Sequence, residues 1–267
     1  HIREIRPGVL LTACRPFALI TVNPGDAPGA SPEHPKVLYA GKSDVFVHSA
    51  RWPRSGNDNL VLIGGELNFT GTCDSPREPK GEFRTYSAAQ LKAGELAGKD
   101  QPLARLRPAG NGTYTDGKPV ANHLGCSVHW FQEHKTFKNG GLVALSEYED
   151  GVRFLQIKKD GSITEQGFFA PLGGSSSSPK WAPGGDVVYS LDYDRGIDII
   201  RWKGKHYIPK ESGNGIKAER GRVRGTNGTS ALPALTGTQA ASRTRLAGLL
   251  QSEGWSPWIC QRAALSL

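Results

Sequence analysis

The sequence has no methionine and no long hydrophobic segment. A membrane-spanning helix needs about 20 consecutive, mostly apolar residues, so the absence of such a run excludes a transmembrane helix. No basic stretch followed by an apolar one opens the chain as given, which is compatible with a signal peptide that has been removed. A chain that begins at His1 without methionine is expected to be processed, or to be truncated from a longer protein.

Cysteine is scarce, and its spacing does not fit a structural zinc site. The four cysteines include no Cys-x-x-Cys pair. Disulfides are therefore expected, with buried thiols as the alternative, and disulfides indicate an oxidising compartment. Cys73 with Cys126 is the preferred pair because both lie beside glycine-rich loops, whereas the pairing of Cys14 and Cys260 stays open.

Positive charge is not spread over the chain, although the net charge is +8. Nine Lys or Arg and two acidic residues fall between Lys203 and Arg245, and the rest of the chain is close to neutral. Without a broad basic face there is no surface for a phosphate backbone, so no nucleic-acid partner is predicted. The basic segment is interpreted as a solvated tail, with association with the cell envelope as the alternative.

A strand-turn-strand unit occurs twice, at residues 142–157 and 187–202, with an offset of 45 residues. Three positions are identical in the two copies: Val143 and Val188, Tyr148 and Tyr193, and Gly151 and Gly196. Each copy predicts two antiparallel strands around a tight turn that contains an acidic residue and glycine. With the strand expected at residues 163–169, one unit has the length of a β-propeller blade.

A weaker third copy has its strands at residues 59–66 and 81–86, and residues 2–39 are a candidate fourth unit. The predicted fold class is all-β, a β-propeller or propeller fragment of four-stranded antiparallel blades, and a β-sandwich with two similar hairpins is the alternative. Residues 1–207 are expected to form the blades, with an irregular insertion near residues 87–123 that includes a short helix at 91–96. Residues 208–230 are interpreted as a Gly- and Arg-rich linker, and residues 231–267 as a small C-terminal helical hairpin.

The two copies resemble those of LVIVD-repeat proteins, a group of secreted or cell-surface β-propellers found mostly in bacteria. The resemblance rests on a hydrophobic strand, an acidic-aromatic turn and a glycine-led strand at residues 145–155 and 191–200. Residues 44–52 and 125–131 look like those of actinobacterial members. The resemblance covers about residues 40–205 and implies a fold and a location outside the cell, but no common activity. It also implies that further blades precede this chain, or that two chains close the ring as a dimer.

Histidines carry the predicted functional site. His123, His129 and His134 lie within twelve residues, together with Cys126 and Glu133. In the weaker copy, His48 takes the place of His129, so both imidazoles are predicted to point into the channel and to be the ligands of a divalent metal, if one binds. The other candidate binding residues follow these histidines or lie at repeat-related positions: Arg51, Trp52, Glu66, Trp130, Glu147 and Asp192.

Two functional hypotheses follow from this set of residues. The first is an extracellular propeller scaffold that binds a protein, glycan or small ligand through its loop face and central channel. The second is a metal-dependent enzyme, in which Glu66, Glu147 or Asp192 serves as a further ligand or proton acceptor.

Overall fold

A computed structural model gives the structure of the chain. It describes residues 1–14, 16–66, 81–107, 127–171 and 174–204, all within one compact unit, His1–Ile208. The predicted linker, the helical hairpin, Cys73, Cys126 and His123 lie outside the described residues. The hairpin and the disulfide therefore stay predictions.

The described strands form four antiparallel sheets, in which each strand pairs with its neighbours along the chain. The first sheet contains β1 (Ile2–Arg6), β2 (Val9–Ala13), β3 (Phe17–Thr21) and β4 (Lys36–Gly41). The second contains β5 (Phe46–Arg51), β6 (Leu60–Glu66), β7 (Phe83–Ser87) and β8 (Ala104–Leu106). The third contains β9 (Phe131–Glu133), β10 (Gly141–Ser146), β11 (Val152–Ile157) and β12 (Ile163–Phe169), and the fourth contains β13 (Ser176–Trp181), β14 (Val187–Asp192) and β15 (Gly196–Arg201).

The predicted all-β class with antiparallel sheets is confirmed for the described residues, whose sheets are built in chain order, as propeller blades are. Three buried apolar clusters join consecutive sheets. The first joins sheets one and two and includes Leu11, Phe17, Val61 and Ile63. The second joins sheets two and three and includes Leu62, Phe83, Val143 and Leu155, and the third joins sheets three and four and includes Phe154, Val152, Val188 and Ile200. A two-sheet sandwich is therefore wrong.

The 45-residue sequence repeat is also a repeat of the hydrogen-bonded register. Val143 pairs with Leu155 across β10 and β11, and the corresponding Val188 pairs with Ile200 across β14 and β15. Gly151 has φ +78°, and its repeat counterpart Gly196 has φ +91°. Glycine adopts this conformation without the steric cost of a Cβ atom. The predicted hairpins and their glycine turns are confirmed.

The stretch expected to be an irregular insertion begins with regular structure. A five-residue helix, α2 (Ala88–Lys92), starts at residue 88 because the Ser87 hydroxyl accepts a hydrogen bond from the backbone N–H of Gln90. The strand β8 then completes the second sheet by pairing with β7. One further short helical turn, α1 (Pro53–Gly56), follows β5. In the described ranges, no helix is long and apolar enough to cross a membrane.

Candidate functional site

Hydrogen bonds link residues that lie in or just before the first strands of sheets two, three and four. The Ser49 hydroxyl on β5 donates to the backbone oxygen of His129, just before β9, at 2.9 Å. The backbone N–H of Trp130 donates to the backbone oxygen of Ser177 on β13 at 3.3 Å. These bonds hold the first strands of sheets two, three and four close together.

His48, Glu66 and His129 form a cluster at this place, and one ligand atom from each lies within 4.8 Å of the others. His48 belongs to β5, Glu66 is the last residue of β6, and His129 lies two residues before β9. The His48 Nε2 atom is 3.7 Å from Glu66 Oε2, and the two imidazole rings have centroids 4.3 Å apart. The structure thus brings together three of the residues that the sequence singled out.

The hydrogen bonding of His129 decides which ring nitrogen can bind a metal. Its Nδ1 atom lies 2.9 Å from the backbone oxygen of Ser177, which can only accept a hydrogen bond. In the neutral imidazole, Nδ1 must therefore carry the hydrogen, and Nε2 keeps its lone pair. A backbone carbonyl that orients a histidine in this way is one of the common outer partners of a metal ligand.

Tyr148 is a member of the site that the sequence analysis missed. It lies in the β10–β11 turn with φ +46°, a left-handed conformation that is uncommon for a non-glycine residue. Its hydroxyl donates a hydrogen bond to Glu66 Oε1, and its ring stacks on His129 with centroids 4.7 Å apart. Tyr148 therefore orients the carboxylate of Glu66 and fixes the plane of the His129 ring, at the expense of local backbone strain.

Burial keeps the two imidazoles and the phenol of the site uncharged. Burial, followed by the positive charge that His129 would carry, lowers the pKa of His48 well below its usual value. Burial lowers the pKa of His129 to about 4, despite the Ser177 carbonyl, which acts in the opposite direction. Burial and the nearby Glu66 carboxylate raise the pKa of Tyr148 far above its usual value. Near neutral pH the site therefore presents two neutral imidazoles and a protonated phenol.

We expect the metal-free protein to lose stability as the pH falls from 6.5 towards 4. The pKa of His129 is about 4 in the folded chain and about 6.5 when unfolded, so the unfolded chain takes up a proton that the folded chain does not. The contribution of His129 to the free energy of unfolding is fully present above pH 6.5, and about 3 kcal/mol of it is lost near pH 4. Urea unfolding across this pH range should show a smaller loss for His129→Gln, and an unchanged loss for His34→Gln at an exposed histidine.

The donor set fits a transition-metal ion. Two neutral imidazoles with one carboxylate are typical ligands of zinc and non-haem iron. In tetrahedral geometry, bonds of 2.0–2.2 Å hold ligand atoms about 3.4 Å apart. The ligand atoms of the cluster lie within 4.8 Å of one another, so the most distant pair must approach by up to about 1.4 Å around an ion. Three protein ligands would leave at least one coordination position for water or for another molecule.

Aromatic rings surround the cluster. Trp130, one of the candidate binding residues, meets the His48 ring edge-on with centroids 5.0 Å apart. Tyr193, the repeat counterpart of Tyr148, has its ring centroid 6.4 Å from that of His129, and 60% of its surface is exposed. An exposed aromatic ring beside a buried polar cluster is a surface on which a ligand can stack.

Arg51 and Trp52, which follow His48 in the sequence, are not part of the cluster of His48, Glu66 and His129. The Arg51 guanidinium is buried, where its Nε donates to the Phe131 backbone oxygen at 3.1 Å and lies 3.4 Å from Glu133 Oε2. The Trp52 indole is buried in the core between sheets one and two, and its N–H donates to the backbone oxygen of Asp58. These two residues hold the sheets together next to the cluster.

The other two carboxylates of the predicted set also have structural partners. Glu147 is buried with its Oε2 atom 3.3 Å from Nε of the buried Arg153. Asp192 accepts hydrogen bonds from two backbone N–H groups in its own turn, each at 2.9 Å, and so stabilises the β14–β15 hairpin. The three-residue cluster contains only one of the three predicted carboxylates, Glu66.

His134 and Glu133 lie further along the same segment, away from the cluster. They line a cavity of about 310 Å³ together with Arg54, Lys135 and Trp181. His134 is held by hydrogen-bonding contacts with the Gly185 backbone oxygen and the Thr136 hydroxyl, at 2.9 and 2.8 Å. The histidines that are close in sequence are thus divided between two places in the structure.

Comparisons with known proteins leave the function open. No protein-family model matches the chain, and no curated protein sequence matches it. A crystallised protein from Bacteroides fragilis, provisionally described as a 6-phosphogluconolactonase, is similar with a TM-score of 0.48 and 13% identity over 75% of this chain and 49% of that one. The chain thus spans about half the length of that protein, and a likeness of this size carries no information on activity.

Proposed function

We propose that this chain is a propeller scaffold that binds a small ligand at its central site through a divalent transition-metal ion held by His48, Glu66 and His129. The observation that carries the proposal is the convergence of these three side chains from two sheets, with ligand atoms within 4.8 Å of one another. The sequence separations of 18 and 63 residues exclude a local motif as the reason for their proximity.

The donor atoms indicate which class of metal ion fits the site. Neutral imidazoles suit zinc, iron and copper, whereas calcium and magnesium prefer sites composed of oxygen atoms. The lowered pKa values of His48 and His129 support binding near neutral pH, because the protein does not have to release a proton before either imidazole binds. Zinc is therefore the first ion to test.

The ligand is expected to combine an oxygen donor with a flat or apolar part. The open coordination position would take a carboxylate or hydroxyl oxygen, and the exposed ring of Tyr193 would stack on the remainder of the ligand. A carboxylic acid that carries an aromatic ring has both features. We also propose, from the resemblance to LVIVD-repeat proteins, that this scaffold works outside the cell.

Zinc binding to the 267-residue chain tests the proposal. Isothermal titration calorimetry of chelator-treated protein with zinc chloride should give one zinc ion per chain. The His48→Ala/His129→Ala double variant should bind no zinc at this site while keeping the wild-type circular dichroism spectrum. Equal zinc binding by both proteins would show that the cluster is not a metal site.

Tyr148→Phe should weaken zinc binding about 10- to 100-fold, the usual effect of losing a group that orients a metal ligand. The phenyl ring keeps the stack on His129 and removes only the hydrogen bond to Glu66. Tyr193→Phe is the matched control, since it changes the same repeat position in the next sheet and should leave zinc affinity unchanged. Equal affinities for all three proteins would contradict a positioning role for Tyr148.

A metal-dependent enzyme is the second candidate, and the open coordination position of a three-ligand site favours it. In catalytic zinc sites that position holds the water molecule or the substrate. If the chain is a hydrolase, zinc-loaded protein should cleave an activated ester or lactone, and the His48→Ala/His129→Ala variant should not. Zinc binding without any turnover would leave the scaffold function as the better account.

A further inference from the structure

An apolar face on the fourth sheet is exposed to solvent. Tyr189 on β14 is 46% exposed, and Ile197 and Ile199 on β15 are 61% and 70% exposed. Tyr189 lies directly opposite Ile199, and Leu191 lies opposite Ile197, so the four side chains form one continuous patch. Contiguous apolar patches of this kind mark interaction sites on soluble proteins.

The sequence repeat identifies what kind of partner fits this face. Forty-five residues earlier, the positions of Tyr189, Ile197 and Ile199 are occupied by Ala144, Val152 and Phe154. Those three residues are buried against the fourth sheet, where they contact the cluster of Val188 and Ile200. The exposed face of the fourth sheet thus corresponds to the face of the third sheet that the fourth sheet covers.

The first sheet carries a complementary face at the other end of the series. One side of this sheet packs on the second sheet through Leu11, Phe17 and their neighbours. The opposite side has an apolar row in which Leu10 pairs with Ile20, and Ile20 pairs with Val37. Val37 is 63% exposed, and the other two side chains are half-buried.

We infer that a second copy of this chain covers the exposed face, with its first sheet packed on the fourth sheet of its partner. The reciprocal contact, in which the two chains exchange roles, uses the same two faces and closes the assembly. Two copies contribute eight sheets, within the range of about four to eight blades that propellers contain. Both contacts then repeat the sheet-on-sheet packing already present between the third and fourth sheets.

Sedimentation equilibrium of the full 267-residue chain measures the assembly directly. We expect a concentration-dependent dimer with twice the mass of the 28.7 kDa chain. Ile199→Asp and, separately, Val37→Asp should each raise the dimer dissociation constant at least about tenfold, because each buries a charge in an apolar contact. Leu103→Asp, at an exposed leucine outside both faces, is the control and should leave the constant unchanged.

Mixing the two variants distinguishes this arrangement from a contact between two fourth sheets. An equimolar mixture of Ile199→Asp and Val37→Asp chains contains one pair of unaltered faces, so it should dimerise more tightly than either variant alone. If Val37→Asp has no effect, the fourth sheets contact each other and the head-to-tail arrangement is wrong. A monomer at every concentration also overturns the inference, and means that other residues of the same chain cover the face or that it stays open.

Discussion

The His129→Ala variant is expected to lose more than about 100-fold in zinc affinity. The substitution removes one of three proposed ligands, and the loss should exceed the roughly 10–100-fold cost of losing an outer partner of a metal ligand. His129 also carries the ring that lies between His48 and Tyr148, with centroids 4.3 and 4.7 Å away, so no neighbouring imidazole can replace it without rearrangement. Competition with a chromophoric chelator measures the affinity.

His134→Ala is the control for this substitution. His134 lies five residues along the chain and is held by the Gly185 backbone oxygen, away from Glu66 and His48. We expect its zinc affinity to equal that of the wild type. A comparable loss in His129→Ala and His134→Ala would indicate a site in the predicted sequence cluster of histidines, and would contradict the site described above.

Gly151→Ala is expected to destabilise the folded chain by more than about 3 kcal/mol. Gly151 has φ +78°, and a Cβ atom there would lie 2.1 Å from the backbone oxygen of Phe169 and 2.7 Å from Ala170 Cα. Relief of this overlap requires movement of the end of β12, because the overlapping atoms belong to the backbone. The same turn positions Tyr148, so zinc affinity should fall together with stability.

The repeat provides a matched control for this effect. Gly196 has φ +91°, but a Cβ atom there would have no other atom within 4 Å. Gly196→Ala should therefore cost only the left-handed strain, about 1–2 kcal/mol. Urea unfolding followed by circular dichroism gives both values, and equal losses in the two variants would contradict the close approach of β12 to Gly151.

The sequence was sufficient to predict the hairpins, because a repeated pattern of strand, acidic turn and glycine specifies its own local geometry. It did not predict β8, a strand of three residues whose existence depends on pairing with β7. Short outer strands of this kind have no alternation from which they can be recognised. The residues following Asn59 formed β6 as predicted, since a continuous apolar run favours a buried strand.

The candidate site was predictable only in part. His48 and His129 occupy similar positions in two units of the repeat, and this similarity predicted that their side chains lie in one site. The structure places the two rings side by side. Tyr148 could not be singled out, because Tyr193 occupies the same position in the repeat and lacks the hydrogen bond to Glu66 that Tyr148 makes across 82 residues of sequence. Trp52 follows the motif as Trp130 does, yet it turns into the core between sheets one and two.

Location of bound zinc tests the central claim most directly. Crystals of the full chain grown with zinc, with data collected on both sides of the zinc absorption edge, should show one anomalous peak within about 2.0–2.2 Å of ligand atoms of His48, Glu66 and His129. No such peak between these three side chains at saturating zinc, or a peak only elsewhere on the chain, would contradict the account.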